Sequence, residues 1–283
     1  MALRAWAKNA GVLKMIDRAL KFVRKPWADK SVVFRYFFRR GIAKLAYLPV
    51  PVWIRVSPQT ELRVWWSKVV AAFNPDRHFF DYWDSDLGEL AFLWRFLEPG
   101  MVFLDVGAYH GVYSVIAGRK LGQPNSVFAF EPSPRDRKRL KMHLRMNRIS
   151  SVCVVPYAVS SSSGPLRFFQ VKSENTTMNS LRRPATTSEV REISVEAISL
   201  DDFAEKRPGL RVDVMKIDAE GSELEIFEGG RKFLAANRPI IICEVLDRVT
   251  SGWGYQAREI VALLEEEGYE WYSFRPDGTF SPT

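Results

Sequence analysis

The stretch "FLDVGAYHG", residues 103–111, is an apolar strand that ends on a carboxylate and breaks into glycines. In a dinucleotide fold the fingerprint G-x-G-x-x-G opens a helix whose N-terminus takes a pyrophosphate. The frame starting at Gly107 puts Tyr109 and Val112 where the second and third glycines belong, and it fails twice. Taken as D-x-G-x-G-x-G, the pattern of S-adenosylmethionine (SAM) sites, the stretch supplies Asp105, Gly107, Tyr109 and Gly111, three matches of four. The charge of the ligand agrees. SAM brings no pyrophosphate to repel Asp105, and its α-ammonium and sulfonium are attracted by a carboxylate at a strand end. Its own carboxylate can sit at the positive end of a helix beginning near Gly111. The competing reading is an ordinary strand-to-helix turn that uses glycine for its positive φ.

Outward from this turn the chain alternates strand and helix. A helix "LGELAFLWRFL" stops at Pro99-Gly100; then come "MVFLDV", a helix over 111–121, "SVFAFE", a helix over 134–147 and "SVCVVPYAV". Ser133-Pro134 suits the cap and first turn of the second of these helices. A serine-rich turn, "PLRFFQV", a loop near "ENTTMNSLRR" and "EISVEAISL" predict an inserted antiparallel pair, and "SLDD" caps a short helix. The rhythm resumes with "VDVMKID", a helix capped by Ser222, "PIIICEV", a helix over 255–267 and a last hairpin turning at Pro276-Asp277-Gly278. Such alternation predicts an α/β fold with helices on both faces of a mainly parallel sheet. Seven strands with a C-terminal antiparallel hairpin suit the class I methyltransferase, Rossmann-like sheet.

The 283 residues allow one large domain and an appendage, divided here as residues 86–283 and a basic, aromatic-rich helical extension over 1–85. Residues 1–45 hold twelve Lys or Arg against two acids, Asp17 and Asp29, a balance of +10; the rest has 29 basic and 31 acidic residues, −2. Leu3, Trp6, Leu13, Ile16, Leu20, Val23 and Trp27 recur at helical spacing with basic residues on the other faces. This helix fits an anionic membrane surface, or else packs on its own domain or on a second copy in a homo-oligomer. No stretch reaches the ~20 apolar residues of a membrane span, and the N-terminus lacks a signal-type apolar core. The expected location is therefore cytoplasmic, with peripheral attachment to the inner face of the membrane. Cys153 and Cys243 lie in apolar runs and allow no disulfide framework. "VPVWIRVSPQTELRVWW" reads as two strands around a Ser-Pro turn.

Ligands of open α/β sheets bind at the carboxyl ends of the strands. Glu131, 26 residues after Asp105, ends the second strand of the rhythm and can accept both ribose hydroxyls of an adenosine. Two later strands end at Asp218, with Glu220 and Glu223 beyond it, and at Glu244. Carboxylates after buried apolar strands are costly unless paired, solvated or liganding something. Asp218 and Glu244 could hold Mg²⁺ to activate a substrate oxygen, or one of the carboxylates could act as general base without metal. His110, inside the glycine turn, is a candidate base or a contact for the methionine part of SAM. His143, in the basic helix "RDRKRLKMHLRMNR", reads as part of a solvated face. The slightly acidic catalytic domain argues against an extended phosphate track, so no nucleic acid is expected.

Together "FLDVGAYHGVYS", "VFAFEPSP", "HLRMN", "VVPYAVS", "SLDDF", "VDVMKIDAEGSELEIFEGG" and "IIICEV" resemble the FkbM-type SAM-dependent methyltransferases over about residues 90–274. The resemblance implies that Asp105, Gly107, Gly111 and Glu131 bind SAM, with Ala158 near the adenine; Ala108, Tyr109 and Ser133 complete the candidate cofactor set. It also implies Asp218 and Glu220 at the reaction centre, to which Glu244 and His110 are added as catalytic candidates. Tyr109 and His110 depart from the small polar and apolar residues usual in that family. The implied function is O-methylation of a hydroxyl on a sugar, glycolipid or natural product, the acceptor being small or lipid-linked. An NAD-dependent oxidoreductase, and a docking protein with a vestigial SAM fold, are the alternatives.

Overall fold

The computed structural model describes residues 50–57, 60–66, 87–172, 178–275 and 278–283. The basic amphipathic helix expected from Leu3 to Trp27 and the turn residues 276–277 lie outside the described residues. Two compact units divide the chain, Met1–Val52 and Trp53–Thr283. The strands expected around Ser57-Pro58 are β1 (Val50–Ser57) and β2 (Thr60–Trp66), a sheet of their own.

From residue 87 the order is α1 (Leu87–Phe96), β3 (Phe103–Val106), α2 (Val112–Leu121), β4 (Val127–Phe130), α3 (Pro134–Met146), β5 (Val152–Val155), β6 (Ala158–Val159), β7 (Gly164–Val171) and β8 (Val190–Ile198). Then come α4 (Leu200–Glu205), β9 (Val214–Ile217), α5 (Glu223–Glu228), α6 (Arg231–Asn237), β10 (Ile240–Cys243), α7 (Asp247–Thr250), α8 (Ala257–Glu266), β11 (Tyr272–Phe274) and β12 (Phe280–Pro282). The central sheet runs β10-β9-β3-β4-β5, parallel throughout.

It has five strands rather than the expected seven. The run "SVCVVPYAV" breaks at Pro156, which brings no ladder N–H, and β6 leaves to pair with β8. β6, β8 and β7 make a separate sheet, with β7 and β8 the expected antiparallel pair. The closing strands β11 and β12 are antiparallel to each other and stay off the central sheet.

Alternation along each strand feeds two cores. Leu104, Val106, Phe128, Phe130, Met215 and Ile217 meet Phe203, Phe227, Phe233 and Ile260 of α4, α5, α6 and α8. On the other face Phe103, Val127, Ala129, Val214 and Ile242 meet Leu93, Ile116 and Leu140 of α1, α2 and α3. Burying each such side chain contributes about 1.5–3 kcal/mol, so both faces are fixed. Caps set the helix starts: Ser133 accepts from Asp136 N–H (3.2 Å) and Ser199 from Asp202 N–H (3.0 Å). Ser222 precedes α5 as expected but makes no capping bond; its hydroxyl donates to the Ala219 carbonyl (3.2 Å).

Register does the rest. Val106 stands opposite Phe130 and Ile217, and Ile217 opposite Cys243. The residues that follow, Gly107, Glu131, Asp218 and Glu244, are thereby brought side by side along one edge of the sheet.

Candidate active site

After β3 the chain turns through Gly107 at φ 74° and Tyr109 at φ 50°. The non-matching tyrosine of the SAM pattern thus keeps the left-handed backbone that a glycine would adopt there. Gly107 is needed for a second reason: a Cβ would lie 1.9 Å from the Asp218 carbonyl oxygen. The glycine turn and the end of β9 approach as closely as backbones can, which sets Asp218 beside the turn.

Glu131 staples this turn from β4. It is 5% exposed, and its carboxylate accepts from Tyr109 N–H (2.7 Å) and Ser133 N–H (2.8 Å). Burial, helped by the nearby Asp136 charge, pushes its carboxyl up to about 8 against the pull of these donors. Each oxygen keeps a second lone pair for a ligand hydroxyl.

Behind the turn lies a buried polar network. For Asp136, burial would push the carboxyl up, yet bonds from His110 and Arg135 overcome it and hold it at about 2. Ser133, Arg135 and Asn179 all donate to its Oδ2, at 2.6, 2.9 and 3.0 Å. Gln170 donates to the Ser133 hydroxyl (2.6 Å), and Asn179 accepts from Val171 N–H (2.8 Å). These bonds clamp β7 and the segment at 178–180 over the carboxyl ends of β3 and β4.

Two cavities open along the strand ends and meet at Asp218 and Glu220. The smaller, of about 100 Å³, is lined by Gly107, Tyr109, Phe130, Glu131, Tyr157 and Ala158, and also by Asn179 of the clamp. The larger, of about 980 Å³, is lined by Glu89, Tyr113, Lys216, Glu244 and Arg248, with Arg182 and Trp253 among the others. At the junction Glu220 adopts φ 53°, and its carbonyl accepts from Ser180 Oγ (2.9 Å) and Trp253 Nε1 (3.0 Å). Burial first, then the Asp218, Glu244 and Glu223 charges, push its carboxyl well above the usual range. Burial likewise raises Glu244.

Of the expected cofactor set, Gly107, Tyr109, Glu131 and Ala158 line the smaller cavity. Asp105, Ala108, Gly111 and Ser133 lie behind it. Asp105 is 1% exposed; it accepts from Ser114 Oγ (2.5 Å), and burial raises its carboxyl. It lines neither of the two cavities. His110 also lies below the surface, 1% exposed, its Nε2 3.2 Å from Asp136 Oδ1 and its ring stacked on Tyr109. Burial lowers it to about 4, so it is neutral at pH 7 and belongs to the clamp rather than to either cavity. His143 is not solvated as the helix pattern suggests: it is fully buried, with Nδ1 2.7 Å from the His110 carbonyl. Cys153 and Cys243 are free and half-buried.

The sequence reading overlooked Lys216. It lies on the otherwise apolar face of β9, beside Asp105 of β3. Its Nζ is 3.1 Å from Asp218 Oδ2 and 4.9 Å above the centre of the Tyr113 ring. Tyr113 in turn donates to Glu89 (2.5 Å). Burial pulls the lysine down, but Asp218, Asp105 and Glu89 outweigh it and set its pKa above the ordinary value. The missed signal is the pattern itself: in "VMKI" a charge takes a position that a buried parallel strand fills with an apolar side chain.

Lys216 also decides the metal question. The cation beside Asp218 is an ammonium, and no group of three or more His, Cys, Asp or Glu side chains among the described residues could hold a metal ion. The donor set does not fit Mg²⁺ on Asp218 and Glu244. Among the described residues no helix is long and apolar enough to cross a membrane.

Comparison with known proteins gives the chemistry its context. Residues 105–271 match the sequence model of the family described as "Methyltransferase FkbM domain". Methyltransferase sdnD of Sordaria araneosa is 29% identical over 201 residues, 62% of this chain and 75% of that protein. The hexuronic acid methyltransferase AglP of Haloferax volcanii is 29% identical over 145 residues, covering 51% of this chain and 56% of its own length. The solved FkbM methyltransferase of Methylobacillus flagellatus KT aligns with a TM-score of 0.41 and 17% identity, over 64% of this chain and 39% of that one.

Proposed function

The chain belongs to the FkbM methyltransferase family, and we propose that it is a SAM-dependent O-methyltransferase whose acceptor is the hydroxyl of a sugar or sugar-bearing molecule. The observation that carries this is the pair of cavities meeting at Asp218 and Glu220. The lining of the smaller one suits adenosine: Glu131 accepts from the ribose hydroxyls while Tyr157 and Ala158 lie along the base. The methionine part then passes Gly107 toward the junction. A cavity of about 980 Å³ lined by charged and polar side chains suits a hydrated acceptor, and the likeness to a hexuronic acid methyltransferase supports a sugar.

At the junction the acceptor oxygen attacks the methyl carbon in line with the departing sulfur. An O–C bond forms, the S–C bond breaks, and sulfur keeps the electron pair as the neutral sulfide of S-adenosylhomocysteine (SAH). The hydroxyl proton passes to Glu220, whose raised pKa makes it a stronger base than a free carboxylate. Alignment supplies much of the rate. NAD fits less well, because the turn lacks the glycines that admit a pyrophosphate. Calorimetry with SAM, SAH and NAD⁺, followed by tritium transfer from methyl-labelled SAM to hexuronic acids and neutral hexoses, tests the proposal. Binding of both SAM and SAH, no binding of NAD⁺ and label in a sugar ether are expected; NAD⁺ binding without SAM binding refutes it.

A further inference from the structure

Lys216 is a lysine inside a parallel sheet, and nothing in packing calls for it. Its neighbours on the same face of the sheet are Asp105, directly opposite on β3, and the apolar Phe103, Val127, Ala129, Val214 and Ile242. A buried ammonium is costly unless it is paired, and here the pairing is partial. One N–H reaches Asp218 Oδ2, and no other hydrogen-bond acceptor lies within bonding distance of Nζ among the described residues. The Tyr113 ring covers one side, and Lys216 lines the larger cavity together with Glu89 and Asp218. Glu89 and Asp105 keep it charged from further off. A fixed cation with donor capacity to spare therefore stands in the wall of the acceptor cavity, next to the junction where the methyl group changes hands.

We propose that Lys216 is a catalytic residue, its ammonium group donating to the acceptor oxygen, lowering that hydroxyl's pKa and holding the negative charge that develops as the proton leaves. This rests on the O-methyltransferase reading above. The step balances without a metal: the hydroxyl proton goes to Glu220, the oxygen forms its bond to the methyl carbon, the sulfur takes the S–C electron pair, and Lys216 keeps its own protons throughout. Asp218, ion-paired to Nζ, aims the ammonium and leaves the proton to Glu220. A lysine thus does what a divalent cation does in metal-dependent methyl transfer, which accounts for a donor set that does not fit Mg²⁺.

The test uses the full chain. Tritium transfer from methyl-labelled SAM into an extract of cells lacking the protein is measured from pH 6 to 10, with and without EDTA, for the wild type, Lys216→Met and Lys216→Arg. SAH binding is measured on each by calorimetry. Loss of one oriented charge donor is expected to lower kcat on the order of 10²-fold in Lys216→Met, with SAH affinity unchanged because Lys216 does not line the smaller cavity. The pH–rate profile of that variant should move to higher pH, since its hydroxyl must ionise without a neighbouring cation. Lys216→Arg should recover part of the rate, and EDTA should leave the wild type untouched. A Met variant with the wild-type rate and pH profile overturns the proposal, as does a wild type silenced by EDTA and restored by Mg²⁺. Should the Met variant lose SAH binding, the wild type's response to EDTA decides. A wild type that binds SAH but labels nothing refutes the O-methyltransferase reading itself, whereas one that labels the extract indifferently to Lys216→Met refutes the lysine alone.

Discussion

The two halves of the site are built differently. Around the smaller cavity the carboxylates are held by several donors each: Glu131 holds two main-chain N–H groups, and Asp136 gathers Ser133, Arg135, Asn179 and His110. Around the larger one, charges face the opening with fewer bonds. Lys216 holds a single carboxylate, and Glu220 and Glu244 are acids raised by burial and then by neighbouring carboxylates, Asp218 foremost. A pre-organised half suits a ligand that never changes, while a half with donor and acceptor capacity in reserve suits one that must be gripped and deprotonated. Changes in the first half should therefore cost fold and cofactor affinity, and changes in the second should cost rate.

The largest effect is expected at Gly107. An alanine there needs φ near 74° and a Cβ 1.9 Å from a backbone oxygen, which combines conformational strain with a clash worth roughly 3 kcal/mol. Denaturant melts of Gly107→Ala should show that loss, along with SAH binding too weak for calorimetry. Wild-type stability in this variant would break the close approach on which the junction depends.

A smaller effect is expected at Glu131. Glu131→Gln replaces an acceptor facing two N–H groups with an amide that can satisfy one of them, and SAH affinity should fall by about 1.5–3 kcal/mol. The pH dependence sharpens the point. Ribose hydroxyls donate best to the ionised carboxylate, which in the free enzyme titrates at about 8 rather than at its ordinary value. SAH should therefore bind more tightly as pH rises from 6 to 8 and level off above, and the Gln variant should lose that rise. The sign for stability is opposite. A carboxyl raised by folding stabilises most below its ordinary pKa, so this contribution is lost as pH rises through about 8. Binding that is flat with pH in the wild type would remove Glu131 from the ribose site.

The same contrast explains what could be read from the residues. The glycine turn, Ser133 with Pro134, and acids placed just after apolar runs are local features whose physics acts within a few residues. They marked much of the lining of the smaller cavity, and register then aligned Gly107, Glu131, Asp218 and Glu244 without further information. Strand number was misjudged because β7 and β8 join β6 in a sheet of their own and β11 pairs only with β12, choices made between segments and not within them; β6 meets β8 from some forty residues away. His110 and His143 look exposed in a turn and a basic helix, yet both are buried: His110 lies against Asp136 of α3, and His143 reaches back to the His110 carbonyl. The larger cavity draws on Glu89, Tyr113, Lys216, Arg182 and Trp253, from separate elements, and no spacing along the chain joins them. Only Lys216 left a local trace, a charge on the wrong face of a strand.

The central claim is that the cofactor's sulfur lies where the two cavities meet. A crystal structure of the SAH complex tests it most directly. The account predicts the ribose hydroxyls within hydrogen-bonding distance of Glu131, the adenine beside Tyr157 and Ala158, and the sulfur between Asp218 and Glu220, facing the cavity walled by Lys216. SAH seated wholly in the larger cavity, or with its ribose away from Glu131, would contradict it.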